Sequence, residues 1–384
     1  MRASASPEAR AERASKGASK PSVSARLPDF PWDHLVPYAD RARAHPDGIV
    51  DLSVGTPVDP TPEVVQEALR GAADSPGYPL TVGRADLREA CLDWLARRHG
   101  VTVLDSLDTV LPVIGTKELI ASMALHLGIG PGDLIVYPEL AYPTYEVGAA
   151  LAGARAVATD SLTSLGPETP ALLWLNSPSN PTGRVLPPEH LKKVVDWCRE
   201  RGTILVSDEC YLECAWQDRP VSVLHPKVSG GSAGGILAVH SLSKRSNLAG
   251  YRCGFVAGDT ALIRELLAVR KNLGLMMPGP QQVAMRVALD DDAHALDQHA
   301  RYAARRARLR DALLGAGFTI DHSEASLYLW CTRDEDCWDT GAWLADRGIL
   351  VAPGAFYGRA GSRHVRVAFT ATDERVDAAV ARLA

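Results

Sequence analysis

For about 150 residues, from Thr109 to Ala257, short apolar runs alternate with longer segments of helical periodicity. Few architectures accept such a pattern. Residues 110–114, 134–137, 154–158, 172–175, 203–206, 236–240 and 254–257 read as strands, and 116–127, 142–151 and 188–201 as the helices between them. Parallel neighbours need a long crossover, so strand and helix in repetition imply a mostly parallel sheet covered on both faces. Ligands on such sheets bind outside the carboxyl ends of the strands. Gly115, Asn180, Asp208 and Lys244 all fall at or just beyond those ends.

The stretch Ser241-Leu242-Ser243-Lys244, continuing to Arg252, places a hydroxyl, an amine and a guanidinium at fixed offsets after an apolar run. An ammonium at the exit of a buried strand is costly to desolvate, and an easily neutralised amine is what Schiff-base chemistry with a carbonyl needs. If the chain turns back on itself, Ser241 and Arg252 clamp one phosphate while Lys244 reaches the other end of the same small molecule. Pyridoxal 5'-phosphate (PLP) offers both ends, an aldehyde and a phosphate. The strand that runs into Gly115-Thr116-Lys117-Glu118 adds a helix start, whose first N–H groups lack partners and form a ready anion site. Gly55, in Gly55-Thr56-Pro57, lets backbone approach a ligand, and Tyr78 is presented on a loop rich in Pro and Gly. Arg366 stands inside the strand 364–369, between Val365 and Val367. An arginine there is seldom left unpaired, and it reads either as a ligand-binding cation or as half of an internal salt bridge.

A chain of 384 residues with 46% hydrophobic content can bury a large core in two or three domains. The formal net charge of −5, with Lys and Arg scattered, gives no basic field for nucleic acid. Seven cysteines without a C-x-x-C pair read as buried thiols in a reducing cytoplasm, neither a disulfide frame nor a metal site. No apolar run is long enough to span a bilayer, so the expected location is cytoplasmic. Residues 1–24 read as a disordered tail. Residues 25–60 read as an N-terminal arm and part of a small domain, with the aromatics of 27–40 laid across another surface. The expected large PLP-binding domain spans 61–285. Residues 286–384, with a connecting helix at 294–314 and strands at 318–321, 327–331, 349–352 and 364–369, read as a C-terminal small α+β domain.

In this order and at these separations, the residues resemble a PLP-dependent class I/II aminotransferase of the aspartate aminotransferase fold (fold type I), from about Leu52 to the C-terminus. The resemblance implies that Lys244 links to the cofactor, that Asp208 pairs with its protonated pyridine nitrogen, and that Tyr211 and Asn180 contact its 3'-oxygen. It implies Ser241, Arg252 and the amides of Gly115, Thr116 and Lys117 as the phosphate cradle, with Tyr142 stacked on the ring. Tyr78 resembles the tyrosine that reaches the partner subunit's phosphate, which makes a homodimer part of the expectation. Arg366 matches the arginine that grips the substrate α-carboxylate, with Gly55 and Asn180 beside it. Cys253 stands where the family usually has an aliphatic residue. No match exists for the arginine that selects a second carboxylate in aspartate-specific enzymes, since Leu273 to Pro278 occupy that region.

The segment from Ser243 to Asp259 is most similar to N-succinyldiaminopimelate aminotransferases, which implies exchange of an amino group between N-succinyl-LL-2,6-diaminopimelate and 2-oxoglutarate/glutamate in lysine biosynthesis. Transamination of another amino acid, or C–S lyase or decarboxylase chemistry on the same scaffold, starts from the same residues. A ligand-sensing regulator would need a DNA-reading domain, for which the stretch before Leu27 is too short and too poor in apolar residues.

Overall fold

The computed structural model describes residues 22–217 and 219–384, so the expected tail at 1–24 lies almost wholly outside the described residues. In chain order the strands are β1 Val50–Asp51, β2 Val110–Val113, β3 Leu134–Tyr137, β4 Arg155–Ala158, β5 Leu172–Asn176, β6 Ile204–Asp208, β7 Ile236–Ser241, β8 Gly254–Gly258, β9 Thr319–Asp321, β10 Tyr328–Thr332, β11 Ile349–Leu350, β12 Ala352–Pro353 and β13 Val365–Ala368. The central sheet has the order β2-β8-β7-β6-β5-β3-β4. Its strands are apolar on both faces because helices cover both. One face packs Leu173, Leu175 and Leu205 against Leu191, Val194 and Met285, and the other packs Leu172, Val206 and Val239 against Leu119, Met123 and Leu266. No helix among the described residues is long and apolar enough to cross a membrane.

One strand departs from the parallel expectation for a physical reason. β8 runs antiparallel to both β7 and β2, with Ser241 opposite Gly254. Residues 242–253, which join β7 to β8, hold only the four-residue helix Leu242–Arg245, so the chain returns directly beside β7 without a helix that covers the sheet. The chain therefore does turn back on itself, and the hairpin brings Lys244 and Arg252 to the same end of the sheet.

The C-terminal part forms a second, antiparallel sheet of order β12-β13-β10-β9, in which Trp330 lies opposite Arg366. The strand expected at 349–352 is two strands divided at Val351: β11 pairs with β1, Val50 opposite Ile349, while β12 pairs with β13. The arm expected at 27–40 is largely helical, a 3₁₀ turn at Pro31–Leu35 and a helix at Val36–Arg43. It packs Leu35, Ala39 and Ala42 on Trp330, Leu350 and Phe356 of its own chain.

Arg305, on the helix Ala293–Gly315, ties the N-terminal segment down. It is buried and donates to both carboxylate oxygens of Asp59 at 2.7 Å, and Asp59 also accepts from Gln298 at 2.8 Å. Gln298 in turn accepts from Asn247, three residues beyond Lys244, at 3.0 Å. Removing one member of a buried pair strands the other's charge, so Arg305→Met is expected to cost about 3 kcal/mol of stability. Urea unfolding monitored by circular dichroism checks this, and a loss below about 1 kcal/mol would show that Asp59 is adequately solvated without its partner.

Candidate active site

A pocket of about 550 Å³ opens where β5, β6 and β7 end. Lys244 enters it from the short helix Leu242–Arg245, whose N-cap, Ser241, accepts the Ser243 amide at 3.2 Å. Its Nζ donates to the Gly55 carbonyl at 2.6 Å. From behind, the next residue fixes the turn. Arg245 is buried and paired with Glu213, which also accepts from Arg98 Nε at 2.8 Å. Burial alone would raise the Glu213 carboxyl, but Arg245, His99 and Arg98 outweigh it and hold it down at about 2.

The other end of the pocket suits an anion. Gly115 has φ +93°, and a Cβ there would overlap the Arg252 guanidinium, so glycine is what lets that side chain lie against the helix start. Thr116 and Lys117, the first residues of the helix Thr116–His126, line the pocket with Ser241 and Arg252. First-turn amides have no acceptor inside their own helix. A hydroxyl, a guanidinium and two such amides therefore belong to one pocket lining, a donor set that fits a phosphate.

Between these ends lies Asp208, the last residue of β6 and 5% exposed. The Tyr145 hydroxyl donates to its Oδ2 at 2.9 Å and the Cys210 amide to its Oδ1 at 3.2 Å. Burial still prevails over these bonds and raises its pKa above the ordinary carboxylate value. A carboxylate so placed gains from a cationic N–H in the pocket, which a protonated pyridine ring supplies. Tyr142 lines the pocket and meets Tyr145 edge-on at 5.9 Å. Asn176 Nδ2 donates to the Asp208 carbonyl at 2.9 Å, and its Oδ1 accepts the Asn180 amide at 2.7 Å, so one buried amide orients both residues. The amine, the phosphate cradle and the buried carboxylate together fit PLP.

Arg366 forms the remaining wall, 3% exposed. The sequence left open an internal salt bridge, and there is none among the described residues. Its two terminal nitrogens donate to neutral oxygens, Asn180 Oδ1 at 2.8 Å and the Ser53 carbonyl at 2.7 Å, and its Nε has no partner. The guanidinium lies 3.9 Å over the Tyr328 ring and 4.9 Å from Tyr357. Its charge is thus uncompensated by any carboxylate and faces the pocket. Tyr211 and Tyr328 share a hydroxyl contact of 2.8 Å. Burial pushes Tyr211 up, whereas at Tyr328 the cations Arg366 and Lys244 outweigh burial and pull the phenol down.

The pocket lining thus includes Gly55, Thr116, Lys117, Tyr142, Asn180, Asp208, Tyr211, Ser241, Lys244, Arg252 and Arg366. Gly115 touches it through Arg252. Tyr78, 97% exposed, lies outside the lining of its own chain. Sequence reasoning missed Tyr328, Tyr145, Asn176 and Cys210, and it saw Phe30 and Trp32 only as parts of an arm. A Cβ on Gly55 would overlap the Tyr328 phenol, so that glycine is explained by an aromatic 273 positions away.

The family model "Aminotransferase class I and II" matches residues 47–383. A protein of Mycobacterium tuberculosis named "Probable aminotransferase" is 64% identical over 361 residues, 94% of this chain and 86% of that protein. The 4-dedimethylamino-4-oxo-anhydrotetracycline transaminase OxyQ of Streptomyces rimosus is 59% identical over 357 residues, 93% of this chain and 99% of that protein. Among solved structures, the N-succinyldiaminopimelate aminotransferase of Mycobacterium tuberculosis superposes with a TM-score of 0.84 at 26% identity, covering 95% of this chain and 99% of that one.

The Glu213 pair behind Lys244 makes stability depend on pH. A carboxyl depressed in the folded state contributes stability above its ordinary pKa of 4.5 and loses it as pH falls through about 2. Glu213→Gln should therefore be less stable than the parent at pH 7, with the gap narrowing steadily below about pH 4.5. Urea midpoints measured from pH 7 to pH 3 test this, and a gap that stays constant would mean that Glu213 is not held charged.

Proposed function

The chain belongs to the class I and II aminotransferases, PLP enzymes that exchange amino groups between amino and 2-oxo acids, and from that premise we propose which residues do the work and which amine is moved. The observation that carries the reading is a buried Arg366 without a carboxylate partner, facing the same pocket as Lys244 and Asp208. Arg366 takes the substrate α-carboxylate on its pocket face, with Asn180 and the Ser53 carbonyl holding the guanidinium in plane. When bound, PLP supplies an electron sink for the negative charge that develops at the substrate α-carbon. Asp208 would accept from the ring nitrogen and keep it cationic, and Tyr211 and Asn180 would contact the ring oxygen. Ser241, Arg252 and the amides of Gly115, Thr116 and Lys117 would hold the phosphate, and Tyr142 would pack on the ring. Lys244 Nζ, freed from the Gly55 carbonyl, takes the α-proton as general base.

On this reading residues 61–285 carry the cofactor, while 25–60 and 286–384 bring Arg366, Gly55 and Tyr328 to the substrate. Tyr78, exposed at 97%, is assigned to the partner subunit's phosphate, which makes a homodimer part of the proposal.

For the amine, the reading is N-succinyl-LL-2,6-diaminopimelate with 2-oxoglutarate, supported by the Ser243 to Asp259 segment and by the fold of the mycobacterial enzyme. The exposed Lys117 side chain lies at the pocket mouth, 5.6 Å from the Phe30 ring, where a distal carboxylate can meet it. A second reading, a polycyclic ketone as acceptor, is favoured by the 59% identity to OxyQ and by Phe30 and Trp32, which line the pocket 5.6 Å apart.

Three experiments test these proposals. Borohydride treatment of the yellow holoenzyme should label Lys244 alone in peptide maps, and a label elsewhere would overturn the site. The untreated holoenzyme, given a panel of donors with 2-oxoglutarate, should turn over the succinylated amine at least tenfold faster than LL-2,6-diaminopimelate or aspartate. Faster glutamate-dependent amination of an anthracyclic ketone would select the second reading. Arg366→Lys keeps the charge and loses the two-pronged geometry. Loss of one charge-assisted hydrogen bond, about 1.5–3 kcal/mol, should lower kcat/KM by about ten- to a hundredfold for donor and for glutamate alike. A variant that loses one half-reaction only would show that Arg366 reads a distal group.

A further inference from the structure

On the far side of the loop that carries Asn180 lies a second cavity of about 560 Å³, as large as the active-site pocket. We propose that it is a separate binding site for a small aromatic anion, a ring body bearing a carboxylate or an equivalent acid. Its size falls in the range of small-molecule sites, roughly 300–1,000 Å³.

The lining supplies both halves of that chemistry. Val136, Leu173 and Leu175 of the central sheet and Val194 of the helix Pro188–Arg201 make an apolar floor, and the half-buried Trp197 adds a ring on which another ring can pack. Arg184, His190 and Lys193 stand exposed around it, and His322 closes it from the C-terminal part. Lys192, beside Lys193 on the same helix, is paired with Asp196 at 2.7 Å. Among the described residues, by contrast, no carboxylate pairs with Arg184 or Lys193. The one acid in the lining, Asp160, already accepts the Glu139 amide at 3.1 Å. An apolar floor beside two unpaired cations selects an anion with a hydrophobic body over a sugar, a polyamine or a cation.

The two pockets share one wall. Asn176, Ser179 and Thr182 line the second cavity, Asn180 lines the first, and Arg184 accepts the Ser179 amide at 3.0 Å through its carbonyl. The site nevertheless rests on its own residues and stands whichever amine the enzyme moves.

The test uses the holoenzyme saturated with glutamate, with 8-anilinonaphthalene-1-sulfonate as anionic probe and N-phenyl-1-naphthylamine as its neutral counterpart, both followed by fluorescence. One equivalent of the sulfonate per chain should bind. The surface double variant Arg184→Gln, Lys193→Gln should weaken it at least tenfold, about 1.4 kcal/mol, and leave the neutral probe unchanged. Trp32→Ala, at the mouth of the first pocket, should leave the sulfonate's affinity unchanged. Equal effects on both probes, no effect of the double variant, or loss of the probe in the Trp32 variant would each overturn the proposal.

Discussion

Two charges are buried on the walls of one pocket, and the protein alone satisfies neither. Asp208 receives only a phenol and an amide, so burial raises its pKa. Arg366 receives only neutral oxygens and keeps an unpartnered Nε. Isolated ions in such surroundings cost several kcal/mol each. The fold tolerates the cost because each charge is fixed by elements that are stable for other reasons, Asp208 by the interior of the central sheet and Arg366 by its position opposite Trp330 in the antiparallel sheet. What completes both is a ligand that is cationic at one point and anionic at another. A protonated pyridine ring and an α-carboxylate meet that description, so the proposed roles follow from the same electrostatic deficit.

The antiparallel β8 is the topological device that makes this geometry reachable. A parallel crossover after β7 would have carried the chain over a face of the sheet and away from Lys244. The short return places Arg252 beside Gly115, and the Arg245–Glu213 pair fixes the turn from below. Lys244 is thereby held by backbone on one side and by a buried ion pair on the other, while its own Nζ keeps a single exchangeable contact with the Gly55 carbonyl.

Much of this was legible in the sequence because strand ends are marked by polarity. Gly115, Asn180, Asp208 and Lys244 interrupt apolar runs, and an interruption is visible without coordinates. Tyr328 was not legible, since it belongs to an apolar alternation that reads as core. Only the pairing register of β10 with β13 puts it on the same face as Arg366, and register is a non-local property. Tyr145 and Asn176 were hidden for a related reason: each acts on a residue already recognised, from an element whose own pattern is that of an ordinary buried helix or strand. In the arm at 27–40 the prolines mask the periodicity of the helix that begins at Val36.

The same distinction bears on what the pocket selects. Groups proposed to meet the cofactor and the α-carboxylate stand at strand ends and in the sheets, where packing leaves them little freedom. The mouth is built differently. Phe30 is 53% exposed and Trp32 only half-buried, both on the segment that precedes the first helix, and Lys117 reaches toward Phe30 from the opposite side. Phe30, exposed just before the 3₁₀ turn, can be exchanged at little cost to stability, whereas Asp208 or Arg366 cannot. A difference in preferred amine between relatives of this chain is therefore expected to arise at Phe30, Trp32 and Lys117. On the proposed roles, an interior that serves the reaction and a rim that serves the substrate would let a chain 59% identical to an enzyme named for a polycyclic ketone share the fold of one named for a succinylated diamino acid.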